Sequence, residues 1–120
     1  MPELVRLPSR RGKVMKPQTV FDIQARLCSS MGSPIRLEIL HNLRDGPKCV
    51  NELAEILKQS QSTISRHLAV MRSIGVVLPD HQKQNVYYRV ANSKLLGVCD
   101  LMQEILEEQR VHENKLAQEL

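Results

Sequence analysis

Residues 49–75, CVNELAEILKQSQSTISRHLAVMRSIG, constrain the fold more than any other stretch. Apolar side chains recur at three- and four-residue steps on both sides of a polar break. Val50, Leu53, Ile56 and Leu57 precede it, and Ile64, Leu68 and Met71 follow it. That period marks one face of an α-helix rather than the alternation of a strand. The spacing predicts two helices, roughly 49–58 and 61–74, with a turn at Gln59-Ser60 and Gly75 as the C-terminal stop. The second helix opens on small polar residues and then gains Arg66 and His67. A helix that packs by one face and offers hydrogen bonds from its first turns suits a helix-turn-helix with its recognition helix in a DNA major groove.

The rest of the chain narrows the class. Its 120 residues make one domain with little room for a second. Aromatic residues are 2% and there is no Trp, so Leu, Ile, Val and Met must build the core, which favours helix packing over a β-sandwich. Apolar runs are short and broken by charge, so no membrane span is expected. The basic N-terminal stretch lacks an apolar segment behind it and does not read as a secretory signal. Three widely spaced cysteines, Cys28, Cys49 and Cys99, suggest neither a disulfide framework nor a CxxC pair, and a reducing cytoplasm is the simplest setting.

Residues 1–17 carry five Arg or Lys against one Glu, hold three prolines and a glycine, and show no apolar period. They read as a basic flexible arm ahead of a domain spanning 18–120. Residues 91–120 are acidic instead, with three basic against six acidic residues, so a polyanion is expected on one side only. The first helix begins near Thr19, where Thr19 and Asp22 have capping-box spacing, and carries Val20, Ile23 and Leu27 to its end at Gly32. Ser33-Pro34 opens a second helix, with Leu37, Leu40 and Leu43 as its apolar stripe and Ile35 and Ile39 widening it, that stops at Asp45-Gly46-Pro47. After Gly75 the period changes: Val76-Val77-Leu78 and Asn85–Val90 read as a β-hairpin around a polar tip, DHQKQ. Asn92 caps a last helix running to about residue 116, whose apolar side is Leu95, Val98, Met102, Ile105 and Leu106. That helix is too long for so small a domain to cover, which points to a dimer built on it and the first helix.

The element order is a winged helix-turn-helix: mainly α with a small β-hairpin, dimerising through its N- and C-terminal helices. Gln61, Ser62, Thr63, Ser65 and Arg66 occupy the first turns of the recognition helix. Gln can read adenine, Arg can read guanine, and Ser or Thr can serve bases or phosphates. His67 can reach phosphate, and Lys83 and Gln84 at the wing tip can reach the backbone or minor groove. The competing view is a tri-helical module that binds protein, with this face merely solvated.

The segment CSSMGSPIRLEILHNLRDGPKCVNELAEILKQSQSTISRHLAVMRSIGVVLPDHQKQNVYYRV resembles the ArsR/SmtB family of bacterial winged-helix repressors. Met31–Leu40 matches that family's LGxPxRLxIL entry to the second helix, with Met31 in place of Leu. SQSTISRHLAVMRSIGVV and VYYRV match its recognition helix and wing. The resemblance covers about residues 19–110. It implies a homodimer that binds an inverted-repeat operator in double-stranded DNA, occludes a promoter and releases on an effector. One family metal site on the last helix falls on Asn92, Lys94, Ile105 and Glu108, so three of four ligands are missing. A second, Cys-x-Cys, falls on Cys49 and Asn51 and keeps half its thiols.

The effector candidates are therefore Cys28, Cys49 and Cys99. Cys49 lies at a helix N-terminus, which favours thiolate. Thiols from distant segments could take arsenite or another soft ion, or form a redox pair. Equally, Cys28 and Cys99 could be small core residues. The metal and cofactor stay unknown on this reading. His41, His81 and His112 lack metal-ligand spacing, and Glu104, Glu107 and Glu108 form a solvated helix face. No Gly-rich phosphate loop, HExxH or GxSxG occurs, so no catalytic residue is assigned and no enzyme is expected. The expected function is a sequence-specific transcriptional regulator, a repressor released by a thiol-reactive or thiophilic signal. The alternative is a non-sensing architectural or protein-interaction winged helix.

Overall fold

The structure, a computed structural model, describes residues 19–119. The basic arm assigned to residues 1–17 lies outside the described residues. The elements run α1 (Val20–Ser30), α2 (Pro34–Asn42), a 3-10 turn (Leu43–Asp45), β1 (Lys48–Cys49), α3 (Val50–Leu57), α4 (Gln61–Ile74), β2 (Val77–Gln82), β3 (Asn85–Val90) and α5 (Lys94–Glu119).

Each helix starts where a side chain can satisfy its free N–H groups. The Asp22 N–H donates to Thr19 Oγ1 at 3.3 Å, and the Thr19 N–H donates back to Asp22 Oδ2 at 3.1 Å, closing the capping box. Ser33 Oγ accepts from the Arg36 N–H at 3.4 Å, with Pro34 at the first helical position. Asn92 Oδ1 accepts from the Lys94 N–H at 2.9 Å. Gly75, at φ 86°, ends α4 in the left-handed conformation that a residue with a Cβ adopts only with strain.

The core is one cluster drawn from α2, α3, α4 and the start of the wing: Ile39, Leu40, Leu53, Ile64, Leu68, Met71, Val76 and Val77 are all fully buried. Full burial of such a side chain stabilises by about 1.5–3 kcal/mol. Leu95, Leu96 and Cys99 bring the start of α5 against this cluster. A bidentate ion pair ties α5 to the 3-10 turn after α2, with Arg44 Nη2 2.7 Å and Nη1 3.1 Å from the Asp100 carboxylate.

The expected hairpin is present as β2 and β3, and β1 adds a third strand to it, pairing antiparallel with β3 with Lys48 opposite Tyr88 and Cys49 opposite Tyr87, in the order β1-β3-β2. Three expectations need correction. The first wing strand spans Val77–Gln82 rather than 76–78, so Asp80, His81 and Gln82 belong to the ladder and only Lys83-Gln84 form the tip. Pro79 fits there because β2 lies at the sheet edge. Ile56 does not face inward: it is 48% exposed, and Ala54 takes the buried position. Finally, α5 continues to Glu119, a 26-residue helix about 39 Å long.

The burial pattern makes a direct prediction. Leu68→Ala should cost about 2–5 kcal/mol in urea unfolding, whereas Ile56→Ala should stay within about 0.5 kcal/mol. Equal costs would contradict the inward and outward assignment.

Candidate nucleic-acid interface

Helix α4 is held by one face and free on the other. Ile64, Leu68 and Met71 are buried, at the four- and three-residue steps of a single helical stripe. The opposite stripe presents Gln61, Ser62, Ser65, Arg66 and Ala69, all exposed. The helix is fixed at its start by Ser60, whose Oγ accepts the Thr63 N–H at 3.1 Å and donates to Thr63 Oγ1 at 2.8 Å. The turn before it is tight. Lys58 takes the left-handed conformation (φ 56°), and the Gln59 N–H closes on the Ala54 carbonyl at 3.0 Å. That conformation is uncommon for a non-glycine residue, and it turns the chain out of α3 towards α4.

The predicted DNA-contacting residues therefore divide. Gln61, Ser62, Ser65 and Arg66 project together from the first two turns of α4. Thr63 and His67 are half-buried on its flank instead. Lys83 and Gln84 are exposed at the end of the wing, with Lys83 also left-handed (φ 55°). His67 is held below the ordinary histidine pKa, first by burial and then by the positive fields of Arg36 and Arg66. Arg36, in the first turn of α2, thus acts on the flank of α4. Sequence periodicity gives it no functional signal, because it stands one turn before Ile39 and Leu40, on the side of α2 that is buried.

The three cysteines occupy different places. Cys28 is exposed on α1, and Cys49 and Cys99 are half-buried. The Cys49 N–H donates to Glu52 Oε1 at 3.1 Å, and hydrogen bonding to Cys49 holds the Glu52 carboxyl below its usual pKa. The start of α3 is thereby already complemented by a carboxylate. Cys49 also lines a cavity of about 230 Å³ shared with Val50, Gln84, Asn85 and Tyr88, beneath the wing tip. Cys99 lines a different cavity of about 220 Å³ between α2 and α5, with Leu40, His41, Arg44 and Met102. Burial, and then the neighbouring Asp100, push the Cys99 thiol pKa up. Among the described residues no group of three or more His, Cys, Asp or Glu side chains is placed to hold a metal ion. Among them, too, no helix is long and apolar enough to cross a membrane.

This architecture, a helix-turn-helix followed by a two-stranded wing, defines a winged helix-turn-helix protein. A family model described as bacterial regulatory protein, arsR family, matches residues 33–77, which hold α2, α3, α4 and the first residue of the wing. The chain is 32% identical over 82 residues to the HTH-type transcriptional repressor SmtB of Mycobacterium tuberculosis, covering 68% of this chain and 61% of that protein's length. It is 31% identical to the transcriptional activator HlyU of Vibrio cholerae, covering 80% of this chain and 92% of HlyU. The solved structure of reduced HlyU superposes with a TM-score of 0.64 at 30% identity, over 71% of this chain and 90% of that one. A homodimeric winged helix-turn-helix DNA-binding domain from Mycobacterium bovis reaches 0.71 at 27% identity, over 78% and 86%. The chain belongs to the arsR family of bacterial regulatory proteins, whose relatives here are transcriptional regulators rather than enzymes.

The His67 environment can be checked by NMR titration. Its midpoint should fall below about 6.5, the ordinary histidine value, and should rise in Arg66→Ala. Because the folded state disfavours the charged form, the contribution of His67 to stability is full above that ordinary value and is lost as pH falls from it through the lowered folded value. A midpoint at or above it would contradict the described burial.

Proposed function

We propose that this protein is a homodimeric transcriptional repressor that binds an inverted-repeat operator in the cytoplasm and is released by a thiol-reactive or thiophilic effector. The observation that carries the DNA-binding part is the outward stripe of α4. Gln61, Ser62, Ser65 and Arg66 converge on one exposed surface while the core holds the helix rigidly from behind. Gln and Arg side chains offer bidentate pairing to adenine and guanine edges, and the serines can position the helix on sugar and phosphate. Lys83 and Gln84 extend the surface to one side, where a wing grips backbone.

Two apolar surfaces support the dimer. Val98, Leu101 and Ile105 recur on one side of α5 and are exposed, as are Val20, Phe21 and Ile23 on α1. A single subunit leaves these stripes in water, and a symmetric pair would cover them. A two-fold pair presents two α4 helices, which is the geometry an inverted repeat requires.

Among the cysteines, Cys49 has the placement best suited to sensing. It joins β1 to α3, pairs with Tyr87 on the wing strand and lines the cavity beneath the wing tip. A bulky adduct or soft ion on its sulfur would disturb both the helix-turn-helix and the wing. Cys28, exposed on α1, could reach the dimer interface. Cys99 is the weakest of the three because burial, and then Asp100, push its thiol pKa up and disfavour the thiolate.

Arg66→Ala should reduce operator affinity at least tenfold in gel shifts while the dimer persists in sedimentation. Undiminished affinity would remove α4 as the reading element. Cys49→Ser should bind DNA normally but resist release by arsenite or a thiol oxidant, and release at wild-type concentrations would exclude Cys49 as the sensor.

A further inference from the structure

We infer that Arg26 and Arg36, with Ser29 lining the same space, form a phosphate-binding clamp that holds the DNA backbone beside the recognition helix. The inference rests on the DNA-binding reading above and adds to it a contact outside α4 and the wing. Its first support is a cavity of about 420 Å³ where α1, α2 and α4 meet, whose walls include Arg26, Ser29, Arg36, Val70 and Ile74. Two guanidinium groups line it and no carboxylate does. Neither arginine is in an ion pair with a described residue, whereas Arg44 and Arg110 each hold an acidic partner.

The second support is independent of the cavity. Arg36 Nε is buried and has no hydrogen-bond partner among the described residues. A buried donor of a charged group is costly to leave unmatched, and nearly all such groups in native proteins meet an acceptor from the protein, solvent or a ligand. The neighbouring Ser30 hydroxyl donates to the Leu27 carbonyl at 2.7 Å and does not accept from Arg36 Nε.

Position then selects the acceptor. Thr63, His67, Val70 and Ile74 follow one another at three- and four-residue steps along the flank of α4. Arg36 acts electrostatically on His67, and Val70 and Ile74 wall the cavity, so the clamp lies against that flank. When the outward stripe of α4 enters a major groove, its flank faces the sugar-phosphate strand that borders the groove. Guanidinium groups suit phosphate oxygens because their forked donors can bind two at once. A small free anion carries the same chemistry, and competition between the anion and duplex separates the two sources.

The test uses the full chain and a random-sequence DNA duplex, because a phosphate contact is indifferent to base sequence. Binding is measured across a range of NaCl concentrations for wild type, Arg26→Gln and Arg36→Gln, with thermal melts to verify folding. Removing one phosphate interaction should reduce the slope of log K against log salt by about 0.9, so by about 1.8 for a symmetric dimer. Arg26 is exposed, so Arg26→Gln carries the test if Arg36→Gln melts early. A wild-type slope in folded Arg26→Gln overturns the clamp. Inorganic phosphate is titrated in parallel while the Ser29 and Arg36 amide signals are followed by NMR. Phosphate-induced shifts that vanish on adding duplex support the backbone contact. Shifts that persist under saturating duplex assign the site to a free anion and overturn it. If wild type binds no duplex at low salt, the DNA-binding reading fails together with the clamp. If it binds with an unchanged mutant slope, only the clamp fails.

Discussion

Everything this molecule offers to a partner depends on the burial of one stripe of α4. Ile64, Leu68 and Met71 lock against Ile39, Leu40, Leu53, Val76 and Val77, which come from other segments of the chain. Because that stripe is fully buried, the opposite stripe has no freedom to turn inward. Gln61, Ser62, Ser65 and Arg66 are thus presented as a rigid set, and a rigid set loses little conformational entropy when it meets a ligand. The same burial fixes the wing, since Val76 and Val77 belong to the core and lead directly into β2.

α5 packs on the core through Leu95, Leu96 and Cys99, and its bidentate Asp100–Arg44 pair anchors it to the 3-10 turn after α2. The pair is partly exposed, so its energetic worth is modest and screened by salt. Its geometric role is greater, because it sets where the long helix leaves the domain. Any event that shifts α5 or the α3 start would re-aim α4 relative to its twin in a dimer. Cys49 is placed at the second of these, with a wing residue opposite it in the sheet.

Much of this is legible in the sequence because helix ends carry local chemistry. Thr19 with Asp22, Ser33-Pro34, Ser60 and Gly75 each mark a boundary that the structure reproduces within a residue or two. The outward residues of α4 are equally legible, since periodicity alone decides which stripe is apolar. Three kinds of feature are not. β1 is two residues long, too short to show a period, and exists because β3 offers it a partner. β2 continues through the polar Asp80-His81-Gln82 because the ladder with β3 holds it, against the local preference for a loop. The Arg44–Asp100 pair and the convergence of Arg26 with Arg36 join residues far apart in sequence or on separate helices, and no local signal reports such meetings.

The central claim is that two copies of α4 read duplex DNA together, about one helical turn apart. Hydroxyl-radical footprinting of the dimer on a duplex selected from a random library tests this most directly. Two protected segments related by a dyad and centred about 10–10.5 base pairs apart, or a multiple of that, are the expected result. A single unsymmetrical protected segment, or none at concentrations where the chain is dimeric, would contradict it.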